Sequence, residues 1–241
     1  LKKISHIAGT SVGSIIGALM CMCSIDEIVS IISENADMLT SNFDVDIDNI
    51  LESFGFVDPK GILGIIEKVF ENKLGVSHIT FADLYAQTNI FLVITGTNLS
   101  KQRGELFDKD TSPDMLVLDA IRISISIPFV FKKAMYNGDI YADGGISHMY
   151  PRNVFKDIDD SHVLCIYSTY NICIDDSNFI DYTKGIIYSI VMAQHKEVSS
   201  ANNIIQIDAT QYNLLGSITD SFIDTLIAIG KTEAENYSRS V

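Results

Sequence analysis

The chain has 241 residues, 47% of them hydrophobic and 20% charged, enough for one sizeable core and typical of a single α/β domain. A formal net charge of −14 argues against nucleic acid as a partner, since its binding needs a basic surface, and no polybasic membrane anchor is present. The four cysteines, Cys21, Cys23, Cys165 and Cys173, form no C-x-x-C pair and no zinc-type cluster with histidine, so they read as reduced, mostly buried thiols of an intracellular protein; no metal and no cofactor is expected.

Ile4–Ala8 reads as a strand that breaks at Gly9. Gly9-Thr-Ser-Val-Gly13 then spells G-x-S-x-G ahead of an amphipathic stretch. A sharp strand-to-helix turn of this kind lifts a serine hydroxyl off the end of a sheet, and the flanking glycines let the arms of the turn pass closely. Ser11 is therefore the candidate nucleophile, with the Val12 N–H at the helix start as the candidate oxyanion donor. The alternative is an ordinary turn in which Ser11 or Thr10 caps the helix. Lys2 and Lys3 followed by Ile15–Cys23 imitate a signal peptide, but His6, Thr10, Ser11 and Ser14 interrupt it. That apolar run also falls well short of the ~20 residues of a membrane-spanning helix.

Ser24-Ile-Asp-Glu27 predicts a capping box and a helix to about Leu39. The acidic stretch Asp44–Asn49 resembles the opening of a calcium loop but lacks its glycine and its bidentate glutamate, and is read as a solvated helix start. Asp58-Pro59 predicts an N-cap and first position, with Gly75 closing that helix. The stretch Asn42–Leu74 is read as packing against the sheet, in preference to a lipid-docking lid. Thr80 caps a short helix, and strands are expected at Ile90–Gly96 and Glu105–Phe107. Ser112-Pro113 opens a helix that ends before Pro128. Phe129–Tyr136 and Ile140–Ala142 flank Asn137-Gly138, a strong hairpin signal. Further strands at His162–Tyr167 and Asn203–Ile207 and helices at Phe179–His195 and Ser217–Tyr237 complete an α/β pattern with a largely parallel sheet in one domain, residues 1–241.

Asp143-Gly144-Gly145 follows the hairpin directly and puts a carboxylate at the sheet's edge on a backbone able to bend closely around a ligand. A serine nucleophile needs a base, and Asp143 is one candidate. A triad in the order Ser…Asp…His, with His162 or His195 last, is the other arrangement open at this point, although neither histidine sits in a recognisable loop context.

These motifs resemble those of the patatin-like phospholipase family. Ile7–Gly13 is similar to its nucleophile elbow, Thr80–Leu84 and Ile94–Leu99 to its middle landmarks, Ala120–Pro128 to its A-x-R-A-S-x-A-x-P helix end, and Tyr141–Gly145 to its aspartate motif. The likeness covers the N-terminal two-thirds; the last third carries no matching motif. It implies a three-layer α/β/α fold with a mostly parallel central sheet. It also implies a Ser11–Asp143 dyad without histidine, with Gly9, Val12 and Gly13 shaping the elbow and Gly144 and Gly145 the aspartate turn.

The activity implied is acyl-lipid hydrolysis of the phospholipase A type, at a lipid or membrane surface, by a protein that is cytoplasmic or peripheral to membranes. A non-catalytic lipid- or protein-binding relative, or an esterase or acyltransferase on a soluble ester, is the alternative. The family's glycine-rich oxyanion loop is not found in the ten residues ahead of Ser11, so it and the first strand are expected upstream of Leu1. Expressed alone, residues 1–241 are expected to be poorly active and prone to aggregate.

Overall fold

Gly9 ends the first strand because the chain must there double back on itself, and the fold is built outward from that turn. The computed structural model describes residues 4–35, 55–169, 179–194, 203–210 and 220–240. They fall into two compact units, Leu1–Pro151 and Arg152–Val241.

In the first unit, β1 (His6–Gly9) leads into α1 (Val12–Met20) and α2 (Ile25–Glu34). The Ser24 box forms as expected: Ser24 Oγ accepts from the Glu27 N–H while the Glu27 carboxylate accepts from the Ser24 N–H. The helix stops at Asn35, short of Leu39, and Asp44–Asn49 lies outside the described residues. β2 (Gly55–Val57) precedes α3 (Lys60–Leu74), which ends on Gly75 in the left-handed region at φ 72°. α3 begins one residue later than the Asp58-Pro59 signal, and Asp58 Oδ1 instead accepts from the Lys60 N–H. Its Ile66 and Phe70 are buried in the core, in line with packing.

α4 (Phe81–Thr88), β3 (Phe91–Asn98), β4 (Arg103–Phe107) and α5 (Val117–Ser124) follow. α5 starts later than Ser112-Pro113 predicts, because residues before it serve another helix. The carbonyls of Pro113 and Met115 accept from the Ala82 and Phe81 N–H groups, first-turn donors of α4 that its own helix cannot satisfy. The long strand expected over Phe129–Tyr136 divides. β5 (Phe129–Phe131) pairs with β2, and β6 (Ala134–Tyr136) pairs with β7 (Asp139–Asp143). Between β6 and β7, Asn137 and Gly138 adopt φ 49° and 83°, the left-handed pair that a two-residue hairpin requires.

The class is α/β, but the main sheet is mixed. Its order is β1-β3-β7-β6, with β4 also on β3. Only β1–β3 is parallel; β3–β4, β3–β7 and β6–β7 are antiparallel. This corrects the expectation of a mostly parallel sheet. Parallel pairing needs a crossover, and here two of the joins are hairpins that reverse the chain at once. One core unites Ala18, Ile66, Phe70 and Leu84 with Leu92 and Ile94 of β3, Ile121 and Ile123 of α5, and Tyr141 of β7.

In the second unit, β8 (Cys165–Thr169) pairs in parallel with β9 (Ile204–Asp208), joined through α6 (Phe179–Ala193) and followed by α7 (Asp220–Ser240). His162 falls in a short 3-10 turn rather than in the strand. Asn203 accepts from the Tyr237 hydroxyl and donates to the Asp160 carbonyl, tying the closing helix to the start of the unit. Among the described residues no helix is long and apolar enough to cross a membrane, and no group of His, Cys, Asp or Glu is placed to hold a metal ion. Cys21, Cys23 and Cys165 are free thiols, and Cys173 lies outside the described residues.

Candidate active site

Ser11 sits at φ 54°, ψ −127°, a region that side chains avoid and that concentrates at functional turns. The turn around it is closed by Gly13 N–H to Thr10 O at 2.9 Å and Ser14 N–H to Ser11 O at 2.8 Å. The buried Ser14 hydroxyl adds a second bond to the same Ser11 carbonyl at 2.6 Å. The two expected glycines differ in role. A Cβ on Gly9 would stand 2.3 Å from the Gly13 carbonyl oxygen, so the close pass demands glycine there. A Cβ on Gly13 would meet nothing within 4 Å, so close approach does not explain that glycine. Val12 heads α1 with its side chain 65% exposed, and its N–H belongs to the first turn, whose donors no carbonyl of the helix itself can take.

Asp143 is the last residue of β7 and is only 6% exposed. Its Oδ2 accepts from Ser11 Oγ at 2.7 Å, and its Oδ1 accepts from the Gly145 N–H at 2.7 Å. Gly144 lies flat against β3: a Cβ there would come within 2.1 Å of Thr95 Oγ1. Burial pushes the carboxyl up to about 6, against the lowering effect of the two donors, Ser11 and Gly145. Such a carboxyl is still largely ionised at neutral pH and is a stronger base than a solvated one, with the proton it would take already aimed at it.

Register explains how residues so far apart in sequence meet. β4 occupies one edge of β3 from Ile94 to Asn98. β1 and β7 share the opposite edge, running toward each other: Gly9 pairs with Ile94 and Asp143 with Gly96. The two chains stop on either side of Thr95. Its buried hydroxyl donates to Thr10 Oγ1 at 2.9 Å, and Thr10 in turn donates to the His148 carbonyl at 2.8 Å. Thr97 donates to the Asp143 carbonyl at 2.8 Å.

Thr95, Thr97 and Ser124, which accepts from the Ser11 N–H, lie inside the landmark stretches Ile94–Leu99 and Ala120–Pro128, but the sequence alone assigned none of them a role. Their place in those motifs, and a polar residue on an otherwise apolar strand or helix face, were the signals available. No histidine is hydrogen-bonded to Ser11 or Asp143 among the described residues. His6 bonds Ser5, His148 bonds Ser147, His162 bonds Ser161, and His195 lies outside the described set.

Comparisons with known proteins agree with this architecture. The crystal structure of VipD from Legionella pneumophila superposes with a TM-score of 0.61 over 98% of this chain and 61% of that one, at 15% identity, a likeness of fold alone. An uncharacterized protein of Acanthamoeba polyphaga mimivirus is 33% identical over 172 residues, covering 70% of this chain and 57% of the relative. A "Probable lipid hydrolase" of Invertebrate iridescent virus 6 is 28% identical over 156 residues, covering 64% of this chain and 54% of the relative. The chain thus spans a little over half the length of these two relatives. The model of the patatin-like phospholipases matches residues 1–156, from the serine turn through the aspartate turn, and the chain belongs to that family.

Proposed function

We propose that this protein is a lipid acyl hydrolase of the phospholipase A type, with Ser11 as nucleophile and Asp143 as its base. The observation that carries this is the 2.7 Å bond from Ser11 Oγ to a buried carboxylate. Family membership and the name of the iridovirus relative support the choice of a lipid ester as substrate.

In this reading Ser11 Oγ attacks the ester carbonyl as its proton passes to Asp143 Oδ2. The Gly145 N–H keeps the carboxylate from turning, and the Val12 N–H faces the developing oxyanion. The tetrahedral intermediate collapses by expelling the alcohol, which leaves with the proton held by Asp143. Water then gives a proton to Asp143 and attacks the acyl-enzyme. Fatty acid is released and the proton returns to Ser11. The substrate is met at a lipid surface by a cytoplasmic or peripheral protein of one catalytic domain.

The test is labelling of the full-length protein with a fluorophosphonate, followed by assay on micellar and monomeric esters. Labelling lost in Ser11→Ala and much slowed in Asp143→Asn, with activity rising above the micelle threshold, supports the proposal. A folded parent that resists the probe overturns it.

A further inference from the structure

Ser11 holds an unfavourable backbone conformation, so something outside the turn must keep it there. Its carbonyl is tied within the turn by Ser14. Its N–H points away from the β1 ladder, which ends at Gly9, and toward the C-terminal end of α5. There the Ser124 hydroxyl, fully buried on the last turn of that helix, accepts from it at 2.9 Å. Two residues on, the Ser126 carbonyl accepts from the Asp143 N–H at 2.8 Å. One short stretch, Ser124-Ile125-Ser126, therefore grips the backbone of both residues of the proposed pair.

That stretch is itself fixed. α5 buries Val117, Ala120, Ile121 and Ile123 in the core. The Ser126 N–H reaches back to the Ile123 carbonyl, and the Ser126 hydroxyl to that of Arg122. Pro128 prevents the helix from running on. The end of α5 is a rigid spacer whose two contact points set where Ser11 stands relative to Asp143.

We infer that Ser124 is a positioning residue of the proposed hydrolase: its hydroxyl accepts the Ser11 N–H and holds the serine turn where Ser11 Oγ meets Asp143. The inference rests on the Ser11–Asp143 reading. Without the hydroxyl the N–H loses its acceptor in a half-buried place, the turn relaxes toward an ordinary conformation, and Oγ leaves the carboxylate. A misplacement of this kind, on the order of 1 Å, costs about 100-fold in rate.

The experiment compares Ser124→Ala, Ser124→Cys and Ser124→Thr with the full-length parent and Ser11→Ala. Fluorophosphonate labelling rates are measured against pH and corrected for folded fraction from thermal melts. Slowing by ~10- to 100-fold in Ser124→Ala, less slowing in Ser124→Cys and recovery in Ser124→Thr is the result expected. The acid limb of the pH profile moves to higher pH in Ser124→Ala, since Asp143 Oδ2 loses the Ser11 hydroxyl whose hydrogen bond favours the ionised carboxyl. If Ser124→Ala does not fold, the thiol variant, with a similar shape and a weak acceptor, carries the test. Labelling at the parent's rate in the folded alanine or cysteine variant overturns this inference and leaves the Ser11–Asp143 reading standing. A parent that does not label takes both down.

Discussion

The serine turn and the aspartate turn meet at one hydrogen bond but are under different kinds of strain. Ser11 is half-buried, and its unfavourable energy lies in the backbone, at φ 54° and ψ −127°. Asp143 has an unstrained backbone at φ −47° and ψ 136°, and its unfavourable energy lies in desolvation of a carboxyl only 6% exposed. Under the proposed function, the difference is how a fold would make a weak nucleophile and a weak base useful together. One group is presented by a bent chain and the other is kept from water, and neither device alone gives both exposure and basicity.

The comparison is broken most completely at the hydroxyl. Ser11→Ala should abolish fluorophosphonate labelling and reduce ester hydrolysis to background. Ser11→Gly should be equally inactive yet more stable than Ser11→Ala by about 1–2 kcal/mol in chemical denaturation, because glycine adopts the positive φ freely. Equal stabilities would show that the turn is not strained.

Asp143→Asn tests the other arm. Hydrolysis should fall by about 100- to 10,000-fold, the range of a lost general base. Stability should move the opposite way. The folded carboxyl, at about 6, lies above its ordinary value of 3.8. Below 3.8 both states hold the proton and the group contributes nothing. As pH rises from there to about 6 the unfolded chain releases its proton first, so stability falls and stays low above that range. With ~1.4 kcal/mol per unit, the penalty at neutral pH is about 3 kcal/mol, an upper bound on what asparagine recovers. Urea melts of parent and Asp143→Asn at pH 4 and pH 7 check this: the variant should gain only at the higher pH. In the parent, kcat/KM should lose activity on the acid side with a midpoint near 6.

A smaller effect separates the two glycines of the serine turn. Gly9→Ala, driven against the Gly13 carbonyl, should destabilise by about 1–3 kcal/mol and slow labelling as the turn opens. Gly13→Ala, facing open space at the start of α1, should change stability by no more than about 1 kcal/mol, in the stabilising direction. Thermal melts of the pair decide it; similar losses in both would return Gly13 to a packing role.

Much of this was legible because turns are local chemistry. Gly9, the Ser24-to-Glu27 box, Gly75 and Asn137-Gly138 each announce a backbone conformation that their own residues favour, and each stands where it was expected. Ser11 and Asp143 were legible for the same reason, each marked by a glycine-flanked end of a strand. Helix starts were less so where a neighbour competed. Ser112-Pro113 carries a helix-opening signal, yet the Pro113 carbonyl goes to the Ala82 N–H of another helix, and the Ser112 carbonyl accepts from Met115.

The sequence by itself therefore determined the family, the two turns and most of the helices and strands, but neither β2 nor the division of Phe129–Tyr136 into two strands. These follow from short-range spacing of glycine, serine, aspartate and apolar residues. Only the tertiary structure decided that the main sheet is mixed, that β1 and β7 face each other across Thr95, and that Ser124 takes the Ser11 N–H. Side-chain periodicity reports whether a strand is buried, not which strand lies beside it or in which direction that strand runs. The separation of 132 positions from Ser11 to Asp143 is closed by register along β3, a property of the pairing and not of either motif.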